Sequence, residues 1–307
     1  MKTIVITGAS TGIGEATALY FAERGWQVFA GVRKIADGEA LQEKNARITP
    51  VQLDVADPNQ INASVAIVSA ALNGRKLTGL VNNAGIAVMG PLAEQSLDQF
   101  KAHFDINVFG LLRVTQAFIP LLGGDQDRTG PAGRIVNITS VGGRLASPFL
   151  GAYTATKHAV ESMTDSFRRE LVIYGIDAIS VGPGAVRTPI WDKAEEANSA
   201  TPYASSPWAQ PLEKFTQIML SGGETGLPAS QVAATIETAL TARKPKARYA
   251  PVPDKLTNFT LPMLLPKRVV DGFFWNEKVL NQAPPAAGAR AFPPDFERRD
   301  GGRPDRP

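Results

Sequence analysis

The stretch "TIVITGASTGIG" (3–14) starts with a run of β-branched residues and ends in closely spaced glycines. The run over 3–7 predicts a buried strand, and an apolar helical pattern over 13–24 follows it. Glycines let the backbone turn tightly and approach a pyrophosphate, which is stabilised by the positive end of the next helix. Because the glycines lie between a strand and a helix, the stretch predicts a dinucleotide-binding loop rather than a plain turn.

The alternation of strand and helix patterns continues along the chain. Further strands are predicted over 27–32, 48–55, 77–83, 133–140 and 176–183. Near-continuous apolar strands separated by helices indicate a parallel sheet that is covered on both faces. The handedness of such crossovers favours a doubly wound, Rossmann-type α/β fold, which we expect to form a single domain over 1–255.

Three segments depart from this pattern. Residues 189–228 form a long insertion rich in proline, serine and aromatic residues, and such segments are functional or disordered. Residues 256–281 predict an apolar helical extension that packs on the core or another subunit, covers the active-site entrance, or rests on a membrane surface. The Pro-, Gly- and Arg-rich tail over 282–307 is expected to be disordered.

Composition excludes several classes of function. The chain has 307 residues with 32 basic against 29 acidic, and this balance predicts no nucleic-acid partner. The densest basic cluster, "ARKPKAR" (242–248), is interpreted as a solvated turn. The absence of cysteine excludes disulfides and thiolate zinc sites. Because His103 and His158 are the only histidines, no His-rich metal cluster is expected, and both are assigned structural roles.

The N-terminus and the apolar runs bear on cellular location. "MKTIVITG" has an apolar run too short for a signal peptide. No uninterrupted apolar run approaches the roughly 18 residues that a bilayer span requires. We therefore expect a cytoplasmic protein.

A pair of polar side chains occurs in "YTATK" (153–157), where Tyr153 and Lys157 share one helix face. A phenol has a pKa of about 10, and a nearby ammonium is expected to lower that pKa towards neutrality. The pair could then exchange a proton with an alcohol or carbonyl oxygen. An isolated pair of this kind is usually a surface feature, but an apolar stripe predicts that this helix, over 151–172, packs on the sheet. Ser140 ends the fifth predicted strand, at the edge where such sheets bind ligands.

The Gly-x-x-x-Gly-x-Gly spacing together with "YTATK" resembles the short-chain dehydrogenase/reductase family, in its single-domain branch, over about residues 1–255. The resemblance implies hydride transfer between a nicotinamide cofactor and a CH–OH or carbonyl group. Tyr153 would move the proton, Lys157 would tune Tyr153 and bind the nicotinamide ribose, and Ser140 would hydrogen-bond the substrate oxygen. Asn107, in "FDINVFG", would bend its helix and hold a water connected to the lysine.

The same resemblance implies a set of cofactor-binding residues. Besides Tyr153 and Lys157, these are Gly8, Ser10, Gly12, Ile13, Gly14, Arg33, Asp54, Val55, Asn83, Val186 and Thr188. Asp54 and Val55 would contact the adenine, and Asn83 the adenosine ribose. Val186 and Thr188, in "PGAVRT", would hold the nicotinamide carboxamide. Several of these positions could equally be ordinary turn residues.

The end of the second strand bears on the choice of cofactor. Val32 stands where NAD-preferring members of the family carry an aspartate, and Arg33 follows it. An arginine offers a fork of donors to the 2′-phosphate of NADP. NADP(H) is therefore the expected cofactor, with NAD(H) as the alternative if Arg33 is only a solvated strand-end residue.

The substrate is the least determined part of the prediction. The family builds its substrate lid at 189–228, and the aromatic and methionine side chains there predict an apolar pocket unless they simply pack on the core; they are Trp191, Tyr203, Trp208, Phe215 and Met219. "VFAGVRK" and "KARYAPVPDKL" resemble the hydroxysteroid and retinol dehydrogenase side of the family, which favours a steroid-, retinoid- or lipid-like ketone, aldehyde or alcohol. The family also implies a homo-oligomer, either a dimer or a tetramer.

Two other functions remain open on the same fold. A catalytically silent dinucleotide-binding redox sensor would not need the four polar residues of the predicted reaction centre. Relatives that resemble sugar epimerases or dehydratases have the glycine spacing Gly-x-x-Gly-x-x-Gly and a larger substrate domain. Neither feature is present in this sequence.

Overall fold

The computed structural model describes residues 1–189 and 203–276, within which strands and helices alternate. The strands are β1 (Thr3–Thr7), β2 (Gln27–Val32), β3 (Ile48–Gln52), β4 (Gly79–Asn82), β5 (Arg134–Ile138), β6 (Asp177–Val181), β7 (Val186–Arg187), β8 (Leu227–Pro228) and β9 (Arg248–Tyr249). The α-helices are α1 (Gly12–Glu23), α2 (Ile35–Lys44), α3 (Pro58–Leu72), α4 (Leu97–Phe104), α5 (Leu111–Ile119), α6 (Gly151–Glu170), α7 (Ala209–Thr225), α8 (Ala229–Thr241), α9 (Leu261–Leu264) and α10 (Lys267–Asn276).

Seven of the strands form one sheet in the order β3-β2-β1-β4-β5-β6-β9, and every neighbouring pair is parallel. Chain order runs outward from β1 in both directions, so the sheet is doubly wound. The Rossmann-type α/β fold predicted from the sequence is confirmed. The two remaining strands, β7 and β8, form a separate parallel pair.

The first two strands have the predicted bounds, whereas the next four end before their predicted limits. In β3, for example, pairing ends at Gln52 and the chain continues as a loop through Asp54 and Val55. The polar residues at these carboxyl ends leave the strand ladder, so their side chains can face a ligand instead of the next strand.

A buried polar network connects the centre of the sheet to two helices. Asn82 on β4 donates to Asn137 on β5 and to Thr115 on α5, each at 2.9 Å. Asn137 in turn donates to Thr164 on α6 at 2.9 Å. Because polar groups are costly to bury unless they are paired, these bonds favour one placement of α6 over the sheet. Apolar packing by Val160 and Phe167 on the same helix reinforces that placement.

A continuous helical stretch, Leu97–Gly124, is the one candidate among the described residues for a bilayer span by length and composition. The central segment Asp105–Gly110 is π-helical, and 56% of the stretch's apolar window is buried in the fold. Such burial is typical of a core helix, so the stretch is weak evidence for a membrane span.

The predicted C-terminal extension contains a π-helical turn, Leu256–Thr260, followed by α9 and α10, with a break at Leu265 and Pro266. Several of its apolar side chains are exposed, with Leu256 at 71% and Leu264 at 77%. The rest of the extension and the tail expected over 282–307 lie outside the described residues.

Candidate active site

A cavity of about 420 Å³ lies at the carboxyl edge of the sheet. Most of the predicted site residues line it: Gly8, Ser10, Gly12, Ile13, Arg33, Asp54, Val55, Asn83, Ser140, Tyr153, Lys157, Val186 and Thr188. The other two, Gly14 and Asn107, are not among its lining residues, although both lie close behind it. The loops that follow separate strands therefore bring together residues far apart in the sequence.

The glycine loop forms an open backbone surface at one end of the cavity. Gly8 and Gly12 adopt positive φ values of 64° and 63°, a conformation that favours glycine. A Cβ on Gly14 would overlap the carbonyl oxygen of Gly8, so helix α1 can only approach the loop this closely without a side chain there. A Cβ on Gly12 would lie 3.2 Å from the Cβ of Thr188. This surface and the positive end of α1 fit a pyrophosphate.

Asn83 connects the ends of two neighbouring strands under this loop. Its Nδ2 donates to the carbonyl oxygens of Thr7 and Gly8, both at 3.0 Å. The Thr7 hydroxyl accepts in return from the backbone N–H groups of Asn83 and Ala84 at 3.0 Å. These bonds hold the glycine loop beside the "NNAG" turn. Thr7 was not among the predicted residues, although a threonine directly before the glycines could have indicated it.

The groups expected to hold the adenosine lie at the end of β2 and after β3. Asp54 lines the cavity, and its Oδ1 accepts from the backbone N–H of Ala56 at 2.9 Å. Arg33 is exposed on the cavity rim and has no ion pair within the described residues. Val32 is buried, while Asp37 lies exposed in the first turn of α2. The rim beyond β2 therefore presents a free cation to the cavity.

Tyr153, Ser140 and Lys157 lie together in the lining of the same cavity. The hydroxyl groups of Ser140 and Tyr153 lie close enough to interact, which lowers the pKa of the phenol, and Ser140 Oγ accepts from Gly142 N–H at 3.0 Å. Lys157 Nζ lies 5.6 Å from the centre of the Tyr153 ring and donates to the Ile138 carbonyl at 2.8 Å. The structure thus places the three side chains at one point on the carboxyl edge.

The expected effect of Lys157 on Tyr153 does not match the structure. Burial raises the pKa of Tyr153, and the Ser140 hydrogen bond opposes that rise. Lys157 is also buried, which lowers its own pKa to about 8, while the carboxylate of Glu161 acts in the opposite direction. The spacing of the two residues indicates only the attraction between ammonium and phenolate. In the folded protein, loss of water around the phenol is the larger effect.

Asn107 is 2% exposed and lies in the π-helical segment between α4 and α5. Its Oδ1 accepts from Ile86 N–H at 2.8 Å, and its Nδ2 donates to the Ile86 carbonyl at 2.9 Å. The Nδ2 also donates to Thr156 on α6 at 3.1 Å. The side chain therefore connects the loop after β4 to the helix of Tyr153. The helix is π-helical, and therefore locally widened, at this position.

The aromatic residues of the 189–228 insertion pack beside Tyr153. Tyr203 and Phe215 are each 5% exposed and form a cluster with Met89, Phe149 and Leu150. Tyr153, Trp208 and Met219 pack against this cluster, whereas Trp191 lies outside the described residues. The cluster is separate from the two main cores of the sheet. These side chains therefore pack together and also give the reaction centre an apolar neighbour.

Two further charged residues close to the reaction centre were missed from the sequence. Glu161 is 6% exposed on α6, one turn after Lys157, and it accepts from Arg248 Nε at 2.9 Å. Arg248 belongs to the basic cluster that was interpreted as a solvated turn. That interpretation is wrong for Arg248, whose side chain is only 16% exposed. A glutamate on the buried face of α6 was the signal that could have revealed the pair.

Both histidines are placed outside the cavity lining. His103 is fully buried, accepts from Val88 N–H at 3.0 Å and bonds the Gln99 carbonyl at 2.8 Å. His158 is exposed and bonds the Thr154 carbonyl at 2.9 Å. Within the described ranges, no group of three His, Asp or Glu side chains could hold a metal ion.

A doubly wound sheet with a glycine-lined cavity at its carboxyl edge, and a phenol and an ammonium at one end, defines a dinucleotide-dependent oxidoreductase. A family model described as short chain dehydrogenase matches residues 2–199. The chain belongs to the short-chain dehydrogenase/reductase family, and it is a NAD(P)-dependent dehydrogenase or reductase with a small-molecule substrate.

Individual relatives agree with this assignment. The chain is 34% identical to an NADPH-dependent 3-dehydrocapnine reductase of Ornithobacterium rhinotracheale over 279 residues, which cover 90% of this chain and 97% of that protein. It is 34% identical to mouse (Mus musculus) retinol dehydrogenase 5 over 280 residues, covering 87% and 86% of the two chains. A crystal structure of a short-chain dehydrogenase from Streptomyces avermitilis superposes with a TM-score of 0.70 at 28% identity, covering 91% of this chain and 97% of that one.

Proposed function

We propose that the protein is an NADPH-dependent reductase of a lipophilic ketone or aldehyde, and that Tyr153, Lys157, Ser140 and Asn107 form its catalytic site. The observation that carries the proposal is that Ser140, Tyr153 and the buried Lys157 line the same cavity, with Lys157 Nζ 5.6 Å from the centre of the Tyr153 ring. This arrangement places a proton donor and a second hydroxyl where one substrate oxygen can contact both.

The bound nicotinamide supplies the hydride in this reaction. Tyr153 donates its phenolic proton to the substrate oxygen, and Ser140 donates a hydrogen bond to the same oxygen as negative charge develops there. Lys157 stabilises the resulting phenolate and binds the nicotinamide ribose. Asn107 holds the loop after β4 against α6, and so keeps Lys157 at a constant position relative to the cavity wall that this loop forms.

The protonation states favour reduction over oxidation. Because burial raises the pKa of Tyr153, the phenol holds its proton at neutral pH. Lys157, with a pKa of about 8, is mostly charged under the same conditions. A neutral phenol next to an ammonium is the form that can give a proton to a carbonyl oxygen.

The preference for NADPH rests on the end of β2. Arg33 lies on the cavity rim without a carboxylate partner in the described residues, and its neighbour Val32 is buried. A guanidinium there can bind the 2′-phosphate, and no acidic side chain stands in the place that would bind a 2′-hydroxyl. The NADPH dependence in the name of the 3-dehydrocapnine reductase supports the same choice.

The lipophilic substrate rests on the apolar cluster around Tyr153. Tyr203 and Phe215 pack with Phe149 directly before α6, so the side of the reaction centre facing the insertion is apolar. The similarity to retinol dehydrogenase 5 supports a substrate of this class.

A carbonyl panel followed by the absorbance of the reduced nicotinamide tests the proposal. We expect oxidation of NADPH with all-trans-retinal and with a steroid ketone, slower oxidation of NADH, and little turnover with an open-chain sugar. Turnover with the sugar alone would contradict the lipophilic substrate. Equal kcat/KM for NADH and NADPH would contradict the cofactor preference.

A further inference from the structure

A buried ion pair lies directly behind the reaction centre. Glu161 Oε1 accepts from Arg248 Nε at 2.9 Å and from the Thr139 hydroxyl at 2.7 Å. The two charged side chains are only 7% and 16% exposed. A buried pair gains little net stability because both ions lose water, so its presence at this position is poorly explained by stability alone.

Both members of the pair reach a group of the reaction centre. Glu161 lies one helical turn after Lys157 on α6, and its carboxylate raises the pKa of that lysine against the effect of burial. Arg248 Nη2 donates to the backbone carbonyl of Ser140 at 3.2 Å. Gly182 makes room for this contact, because a Cβ there would overlap the Arg248 guanidinium.

We infer that the Glu161–Arg248 pair is a positioning device for the reaction proposed above, on which this inference rests: it fixes the backbone of Ser140 and the charge of Lys157. Neither Glu161 nor Arg248 lines the cavity itself, so both act through residues that do, Thr139 and Ser140 among them. Thr139, which precedes Ser140, is bonded to the same carboxylate and ties that segment to α6.

The charges around the pair determine the direction of its effect. Arg144 Nη2 lies 3.7 Å from Glu161 Oε2, but the Arg144 side chain is 44% exposed. The other titratable neighbour of Lys157 is Tyr153. His103 and Asp105, on the neighbouring helical segments, are bonded elsewhere. Removing the negative charge of Glu161 therefore leaves Lys157 among cations and makes it lose its proton at lower pH. Removing the positive charge of Arg248 has the opposite effect.

The first experiment measures NADPH affinity by nicotinamide fluorescence between about pH 6 and about pH 10, a range that includes the titration of a perturbed lysine. We expect the affinity of the wild type to fall as Lys157 deprotonates. In Glu161→Gln that fall should move down by about one pH unit, and in Arg248→Met it should move up. Asp165→Asn is the control, because Asp165 lies on the same helix but pairs with Arg168 at 2.7 Å.

The second experiment separates positioning from folding. Arg248→Lys keeps the charge but loses the planar fork that reaches Ser140, so its pH profile for NADPH should match the wild type. Its kcat for all-trans-retinal should fall on the order of ten- to a hundredfold, as expected when a catalytic hydroxyl is slightly misplaced. A purely structural role would not produce pH shifts of opposite sign in Glu161→Gln and Arg248→Met. Nor would it lower kcat in Arg248→Lys while leaving NADPH affinity unchanged.

The outcomes distinguish this inference from the proposed function. An active wild type whose Glu161→Gln profile coincides with that of Asp165→Asn overturns the inference and leaves the reductase intact. A wild type that binds NADPH but reduces no carbonyl in the panel overturns the proposed function, and the binding profiles then still decide the effect of the pair on Lys157. Shifts of opposite sign in Glu161→Gln and Arg248→Met support the inference.

Discussion

Lys157 Nζ lies 5.6 Å from the centre of the Tyr153 ring, and it is held there by a 2.8 Å hydrogen bond to the carbonyl of Ile138. That carbonyl belongs to the last residue of β5, so the ammonium is anchored to the sheet rather than to its own helix. The phenol therefore has a cation at a fixed distance, and the Ser140 hydroxyl also interacts with it.

Tyr153→Phe removes the proton donor and leaves the ring and the cavity in place. We expect kcat to fall by about a hundredfold or more, the usual contribution of a positioned acid, with the Kd for NADPH unchanged. The measurement combines steady-state reduction of all-trans-retinal with fluorescence titration of NADPH. Tyr174→Phe, at an exposed tyrosine after α6, is the matched control and should keep full activity. Retained turnover in Tyr153→Phe would rule out the phenol as the acid.

The rate of reduction should depend on the charge of Lys157. Its pKa is lowered to about 8 by burial, so the ammonium is present below that pH and is lost as the pH rises through it. Because the pKa of Tyr153 is raised, the phenol stays protonated over the same range. We therefore expect kcat for reduction to decline above about pH 8, a limb that Lys157→Arg, with its permanent charge, should move to higher pH. A profile unchanged in Lys157→Arg would assign the limb to another group.

Arg33→Asp should reverse the cofactor preference. The change removes the donors for the 2′-phosphate and places a like charge beside it, so kcat/KM for NADPH should fall by about ten- to a hundredfold. The new carboxylate can accept from a ribose 2′-hydroxyl, and kcat/KM for NADH should rise. Arg47→Asp, at another exposed arginine, controls for net charge. Parallel losses in both variants would show a general electrostatic effect instead.

Gly14→Ala tests the close approach of α1 to the glycine loop. The new methyl group would overlap the Gly8 carbonyl, so the loop must shift and NADPH binding should be lost. The same crowding should destabilise the fold by about 1 to 3 kcal/mol. Gly222→Ala is the matched control in helix α7, where a Cβ meets no atom within 4 Å and helix propensity should increase. Denaturant unfolding and NADPH titration measure both effects, and wild-type affinity in Gly14→Ala would show that the loop adapts.

Much of the architecture was predictable because its signals are local. The β-branched runs set β1 and β2 to the residue, and the glycines between β1 and α1 indicated the ligand-binding loop. Since parallel strands expose their carboxyl ends at one edge, placing Ser140 at a strand end already placed it near Tyr153. The predicted strand ends were less accurate, because residues whose side chains face a ligand do not follow the alternating side-chain pattern of a paired strand.

What escaped prediction depends on contacts between distant segments. Glu161 and Arg248 are 87 positions apart, and the sequence alone does not show that a basic turn folds back onto α6. The pKa of Tyr153 is another example, because the spacing to Lys157 indicates attraction but not how much water the folded protein removes. The apolar cluster of Tyr203 and Phe215 beside Tyr153 likewise exists only once these residues pack against Met89 and Phe149, which are distant in the sequence.

The amino-acid order alone determined the family, the parallel sheet and the identity of the side chains that can do the chemistry, because spacing and periodicity are properties of a chain. The tertiary structure decided which of those side chains are buried from water, which charged groups are in contact and in which direction their pKa values shift. Those quantities follow from desolvation and from distances through space, and neither is written in the spacing of residues along a strand or a helix.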